Sequence, residues 1–346
     1  MNVFRLLFGA PLLCLFCTCS KNEFIPESTV TDPEVSAKLV TYLTGDVADV
    51  SPPTQAGFCL MGGGADVDEA FEWMISRSGG GDFVVLRATG SDGYNDYIYY
   101  DLGGVNSVET IIIDTKSKAK RQDVYNKIVA AEALFITGGD QWDYVNKWRN
   151  TLTEDAINYL INVKKVPVGG TSAGCAILGE AYFTAKNGTV TSQQAMNNPY
   201  RTEVTLGKSD FISIPFLTQT ITDTHYDNPD RRGRHVTFMA RMVEDWNMNA
   251  RGIGCEEHTA VCIDGNGIAK VYGSGKAHFL QKTNLGPETC DPNVKLTWNR
   301  SQQAVKAYLI TGSAAGNGSF DLTNWTTYSG GTSSYYYVNN GTFGVN

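Results

Sequence analysis

The sequence predicts an α/β fold: a doubly wound, three-layer sandwich around a mostly parallel sheet. Two patterns carry that expectation. Short runs of consecutive apolar residues alternate with helical stripes, and several of the runs end in glycine. Strands that are apolar on both faces suit a parallel sheet covered on both sides. Composition agrees, since 42% of the 346 residues are hydrophobic and 18% are charged, enough for a large core and unlike a disordered chain. At about 150 residues per domain, the length fits two domains or one large domain with extensions. With 28 basic and 36 acidic side chains, the net charge of −8 argues against nucleic acid as a partner.

Taken in chain order, residues 1–19 read as a signal peptide, with Arg5 followed by an apolar run from Leu6 to Phe16. That run is too short to span a bilayer, which takes about 20 residues. It ends in Cys17-Thr18-Cys19-Ser20-Lys21, the pattern of a lipoprotein signal with Cys19 as the lipidated residue and Cys17 as the alternative. The expectation is an exported protein held to a bacterial membrane by a lipid anchor only, facing the periplasm or the cell surface. Residues 20–55, rich in Pro, Asp, Ser and Thr, read as a tether, 56–285 as the α/β domain and 286–346 as a β-rich C-terminal extension.

Within the domain, Gly57–Met61 reads as a strand running into Gly62-Gly63-Gly64. Val67, Ala70, Phe71, Met74 and Ile75 then form one helical stripe. Phe83–Leu86, Val108–Ile113, Ala133–Thr137 and Val166–Val168 read as further strands. Helices are expected around Val124–Val129, Trp142–Trp148 and Ile157–Lys164. Right-handed crossovers place the C-terminal ends of such strands on one edge, where ligands bind. Setting aside Cys14, Cys17 and Cys19 leaves five cysteines, an odd number that cannot complete a disulfide framework. Cys59 and Cys175 read as buried thiols. The four histidines show no metal spacing, and no metal site is expected.

Three segments carry chemistry. Gly170-Thr171-Ser172-Ala173-Gly174 places a serine at a sharp strand-to-helix turn, which lifts its hydroxyl above the sheet edge. Amides of the following helix suit a developing oxyanion; the same serine would otherwise only cap that helix. Thr137-Gly138-Gly139-Asp140-Gln141 ends a neighbouring strand, so the amides of Gly139 and Ala173 are the expected oxyanion hole, with Asp140 also able to cap a helix. Asp223-Thr224-His225-Tyr226 follows an apolar run, Phe211 to Leu217, that reads as another strand ending before it, and supplies the imidazole that a serine nucleophile requires. Arg231, Arg232 and Arg234 cluster after it, suited to holding carboxylates or to solvating a helix start.

In this order, T-G-G-D-Q, G-T-S-A-G and D-T-H-Y…R-x-x-R resemble the cyanophycinase and aspartyl-dipeptidase family of serine peptidases. The resemblance runs from about Gly57 to Leu280. It implies a sandwich like that of class I glutamine amidotransferases and hydrolysis of aspartyl-containing, including β-linked, peptides through an acyl-enzyme. It also implies no cofactor and a homodimer. By position, Ser172 is the implied nucleophile and His225 the implied base, while Gln141, Asp223, Arg231 and Arg234 line the substrate pocket. Two departures stand out. Pro229 occupies the place of a substrate-site arginine in cyanophycinases. The carboxylates between Ser172 and His225, which are Glu180, Glu203, Asp210 and Asp223, do not match the expected position of a third triad member. Glu180 would lie about 12 Å along a helix from Ser172, and Lys186 to Arg201 offers only Asn187, Thr191, Ser192, Asn197 and Asn198. The alternatives are a catalytically weakened relative serving as a surface binding lipoprotein, and an unrelated α/β-hydrolase esterase, which the short Ser172–His225 spacing disfavours.

Overall fold

A computed structural model of the chain describes residues 38–346. The expected signal peptide, Cys19 and the first part of the expected tether lie outside the described residues. Among those residues the strands form two sheets, one of ten strands and one of eight. Five parallel strands make the centre of the larger sheet, in the order Ser107–Ile112, Asp82–Arg87, Ala133–Ile136, Pro167–Thr171 and Gly57–Met61. Side chains alternate across a strand, and each face here meets a different core. Phe58, Leu60, Val84, Leu86, Leu134 and Ile136 face helices Gln122–Ala130, Gln141–Trp148 and Leu152–Tyr159. Cys59, Met61, Phe83, Val85, Ala133 and Phe135 face helix Asp68–Arg77 through Ala70, Phe71, Met74 and Ile75. This is why the strands read as unbroken apolar runs.

Antiparallel strands extend this sheet. Thr259–Asp264 pairs with Gly57–Met61 on one side. On the other, Val40–Gly45 pairs with Ser107–Ile112, so part of the stretch read as a tether forms an edge strand. In the second sheet, Thr220–Asp223 and Arg251–Cys255 run parallel, with Arg251 opposite Thr220 and Gly254 opposite Asp223. Lys276–Lys282, Val305–Thr311, Thr332–Asn339 and Thr342–Val345 continue it antiparallel. Helix Arg232–Trp246 packs on this sheet through Val236, Phe238, Met239 and Met242. The region from residue 286 therefore builds onto both sheets, since Asn317–Asp321 joins the larger one.

Two local expectations need correction. The helix after Ser172 is a single turn, Ala173–Ala176, because the chain bends at Gly179 and enters the second sheet at Ala181–Phe183. Phe211 to Leu217 is no strand. Asn158 hydrogen-bonds the backbone of Phe211 and Ser213, Asn162 takes the Ser213 carbonyl, and Pro215 starts a short 3₁₀ turn. All five cysteines among the described residues are buried free thiols.

The elbow depends on close backbone contact. A Cβ on Gly174 would lie 2.1 Å from the Ile136 carbonyl oxygen, and one on Gly170 would lie 2.6 Å from Gly174. Gly174→Ala therefore forces the helical turn Ala173–Ala176 away from strand Ala133–Ile136. The expected cost is about 1–3 kcal/mol, read as a fall in denaturation midpoint relative to wild type.

Candidate active site

Parallel strands bring three turns to one edge of the larger sheet: Gly62-Gly63 after Met61, Thr137-Gly138 after Ile136, and Ser172 after Thr171. Ser172 has φ +50° and ψ −116°, a strained conformation for a residue with a side chain. Its N–H donates to the Met61 carbonyl at 3.1 Å. The second sheet supplies the other side. Thr220–Asp223 and Arg251–Cys255 end next to each other, and the residues just beyond them are Thr224-His225 and Glu256-Glu257. The His225 N–H donates to the Gly62 carbonyl at 2.9 Å, which ties that loop to the first sheet.

The side chains then form a line. Ser172 Oγ lies 2.8 Å from His225 Nε2. His225 Nδ1 lies 2.6 Å from Glu257 Oε1. Asn228 Nδ2 donates to Glu257 Oε2 at 3.3 Å, and the Glu257 N–H donates to Asp227 Oδ1 at 2.9 Å. The hydrogen bonds from His225 and Asn228 hold the Glu257 carboxyl below its ordinary value, so it is an anion at neutral pH. An anion on Nδ1 fixes that nitrogen as the N–H and leaves Nε2 as the acceptor facing a hydroxyl. Such a line can take the serine proton and stabilise the resulting imidazolium.

Sequence reasoning missed Glu257 because it looked for a carboxylate between Ser172 and His225. Glu257 instead follows His225, one strand further on. The available signal was Gly252-Ile253-Gly254-Cys255, a small and apolar run ending in two carboxylates. Glu180 is occupied elsewhere, accepting from the Ser209 hydroxyl at 2.6 Å and from the Gln219 backbone N–H. Asn187 and Asn198 hold loop backbone, and Thr191 caps helix Ser192–Asn197.

The remaining predicted residues fall in different places. Asp140 caps helix Gln141–Trp148 through the Trp142 N–H. Gln141 Nε2 donates to the Phe183 carbonyl at 2.9 Å, which ties it to the second sheet. Ala173 directly follows Ser172. Gly138, rather than Gly139, lines the cavity beside Ser172; a Cβ on Gly139 would instead meet the Tyr144 hydroxyl at 2.9 Å. Asp223 and Arg234 are both buried and pair bidentately at 2.5 and 2.9 Å, so they engage each other. Burial alone would raise the Asp223 carboxyl, but the Arg234 guanidinium holds it below its ordinary value. Arg231 donates one hydrogen bond to the Thr224 carbonyl, and burial lowers it to about 10, so it is cationic at neutral pH. Among the described residues, no group of three or more His, Cys, Asp or Glu side chains is arranged to hold a metal ion.

The family model for peptidase family S51 matches residues 90–271, more than half of the chain. The chain belongs to peptidase family S51. It is similar to the cyanophycinase of Trichormus variabilis, 25% identical over 191 residues that cover 55% of this chain and 58% of the relative. The cyanophycinase of Thermosynechococcus vestitus is 24% identical over 192 residues, covering 56% of this chain and 54% of that protein. The matched region thus spans little more than half the length of these curated relatives. Among solved structures, a peptidase from an acI-B1 Actinobacterium has a TM-score of 0.46 at 15% identity, covering 66% of this chain and 91% of its own. A putative peptidase E of Listeria monocytogenes has a TM-score of 0.39 at 16% identity, covering 64% of this chain and 99% of its own.

The buried ion pair gives a stability test. Arg234→Met leaves the Asp223 charge without its partner, and breaking such a pair costs roughly 3–5 kcal/mol. Because the pairing lowers the Asp223 pKa, its contribution is present above the ordinary value of 3.8 and fades as pH falls below it. Denaturant melts across pH should show the deficit of the variant at neutral pH and its narrowing in acid.

Proposed function

We propose that the chain is a serine peptidase that cleaves aspartyl-containing peptides through an acyl-enzyme. The observation that carries this reading is the Ser172–His225–Glu257 line, with contacts of 2.8 and 2.6 Å. His225 Nε2 takes the Ser172 proton as Oγ attacks the scissile carbonyl carbon. The negative charge that forms on the carbonyl oxygen is met by the Ala173 amide and a glycine amide of the Gly138-Gly139 turn. The imidazolium, paired with Glu257, then protonates the leaving nitrogen, the C–N bond breaks and an ester to Ser172 remains. Water attacks that ester with His225 again as base, releasing the acid and restoring the hydroxyl.

The aspartyl preference is supported by the relatives named cyanophycinase and by Arg231, a cation next to the Thr224–His225 loop with one hydrogen bond to the Thr224 carbonyl. Substrate contacts by Asp223 and Arg234 have less support, because each already satisfies the other. The idea of an inactive binding relative was motivated by a missing acid, and Glu257 removes that motive. Export and a lipid anchor at Cys19 belong to the same proposal and rest on the N-terminal sequence, as homodimer formation rests on the family resemblance.

A fluorophosphonate probe reads the nucleophile directly. Wild type should be labelled at Ser172, and Ser172→Ala should abolish labelling and lower peptide hydrolysis by on the order of 10⁴-fold or more. His225→Ala should fall comparably, and Glu257→Gln by roughly 10²- to 10⁴-fold with little change in KM. Folded wild-type protein that never labels would refute the proposal.

A further inference from the structure

A cavity of about 260 Å³ opens beside Ser172 on the Gly63 and Gly138 side. It is smaller than the roughly 300–1,000 Å³ of sites for drug-sized ligands, a size suited to one amino-acid residue. Two groups of opposite charge line it, Asp66 and Arg87, each partly exposed. They are not paired with each other. Among the described residues neither has an ion-pair partner, although thirteen such pairs occur elsewhere.

Both groups are held in place by neutral partners. Arg87 Nε donates to the Thr89 carbonyl at 3.0 Å and Nη1 to the Ser91 carbonyl at 2.9 Å, which leaves Nη2 for a ligand. The Tyr94 hydroxyl donates to Asp66 Oδ1 at 3.0 Å, which leaves Oδ2 for a ligand. Burial raises the Asp66 carboxyl despite that hydrogen bond, and the neighbouring Asp68 adds to the rise, as expected of an acid lacking a cation. Unpaired opposite charges held apart in one cavity form a complementary surface for a ligand that brings both signs.

We propose that Asp66 and Arg87 are specificity-determining residues, selecting a substrate residue that carries a cationic and an anionic group together. The inference rests on Ser172 as the peptidase nucleophile. It differs from the expected pocket of Gln141, Asp223, Arg231 and Arg234, all four of which are tied to the protein's own backbone or to each other, Arg231 by a single hydrogen bond. The cation of the bound residue faces Asp66 and its carboxylate faces Arg87. Any residue supplying only one charge leaves the other cavity group desolvated without a partner, which disfavours binding.

Protection of Ser172 from fluorophosphonate labelling measures binding without turnover. Three protectors separate the charges: alanine carries both, alanine amide only the cation, and N-acetylalanine only the anion. Wild type should be protected by alanine at concentrations roughly 10-fold or more below those needed for either derivative, the scale of one lost charge-assisted hydrogen bond. Arg87→Met should erase the advantage over alanine amide while keeping that over N-acetylalanine, and Asp66→Asn should do the reverse. The opposite losses expected in the two charge variants, each read in protein that keeps the wild-type circular dichroism spectrum, separate the loss of one charge from a general disturbance of the fold. Equal protection by all three compounds, or preferences unchanged in both charge variants, would overturn the proposal. If folded wild type never labels, the peptidase reading fails; the rise in melting temperature with the same three compounds then decides the cavity's preference by itself.

Discussion

The site depends on how closely the backbone at Gly62 and Gly63 can approach its neighbours. The Met61 carbonyl accepts from Ser172, the Gly62 carbonyl from His225, and the Gly63 carbonyl from His258. One turn therefore holds the three segments that carry the serine, the imidazole and the carboxylate. There is no room for a side chain. A Cβ on Gly62 would lie 1.9 Å from the Glu256 carbonyl oxygen, and one on Gly63, at φ +92°, would lie 2.7 Å from the His225 ring. Only glycine has neither the steric bulk nor the conformational cost that this geometry forbids.

That constraint links two sheets that contribute different chemistry. The larger sheet presents the strained serine and the glycine amides at the ends of its parallel strands. The second sheet presents an imidazole and a carboxylate just past the ends of its parallel pair, so the His225–Glu257 contact follows from strand register. The buried Asp223–Arg234 pair sits just behind, joining the end of strand Thr220–Asp223 to the start of helix Arg232–Trp246. Its polar atoms are spent on holding that junction, which explains why residues expected in a substrate pocket are buried. Asp66 and Arg87, which have no ion-pair partner among the described residues, line the cavity beside Ser172.

Much of this was legible in the sequence. The parallel strands appear as apolar runs because both faces are covered, and the stripe Ala70, Phe71, Met74 and Ile75 lies on the buried face of its helix. The serine elbow was readable because glycine spacing encodes a local turn. What could not be read depended on long-range pairing. Nothing local in Glu257 says that its strand lies beside the one before His225. The apolar run Phe211 to Leu217 looked like a strand because periodicity does not register asparagine side chains that satisfy a loop's backbone. Val40–Gly45 is short and partly exposed, as an edge strand is, and so resembled a linker. Asp66 and Arg87 carry no motif; their meaning comes from being unpaired in a shared cavity.

The central claim is that Glu257 holds His225 in the tautomer that leaves Nε2 free to accept the Ser172 proton. Nitrogen-15 NMR of the imidazole, with the exchangeable ring proton followed far downfield, tests it most directly, and only four histidines need assignment. The account predicts a protected proton on His225 Nδ1 that is lost or moved sharply upfield in Glu257→Gln. A neutral His225 with its proton on Nε2, or an Nδ1 proton indifferent to Glu257, would contradict it.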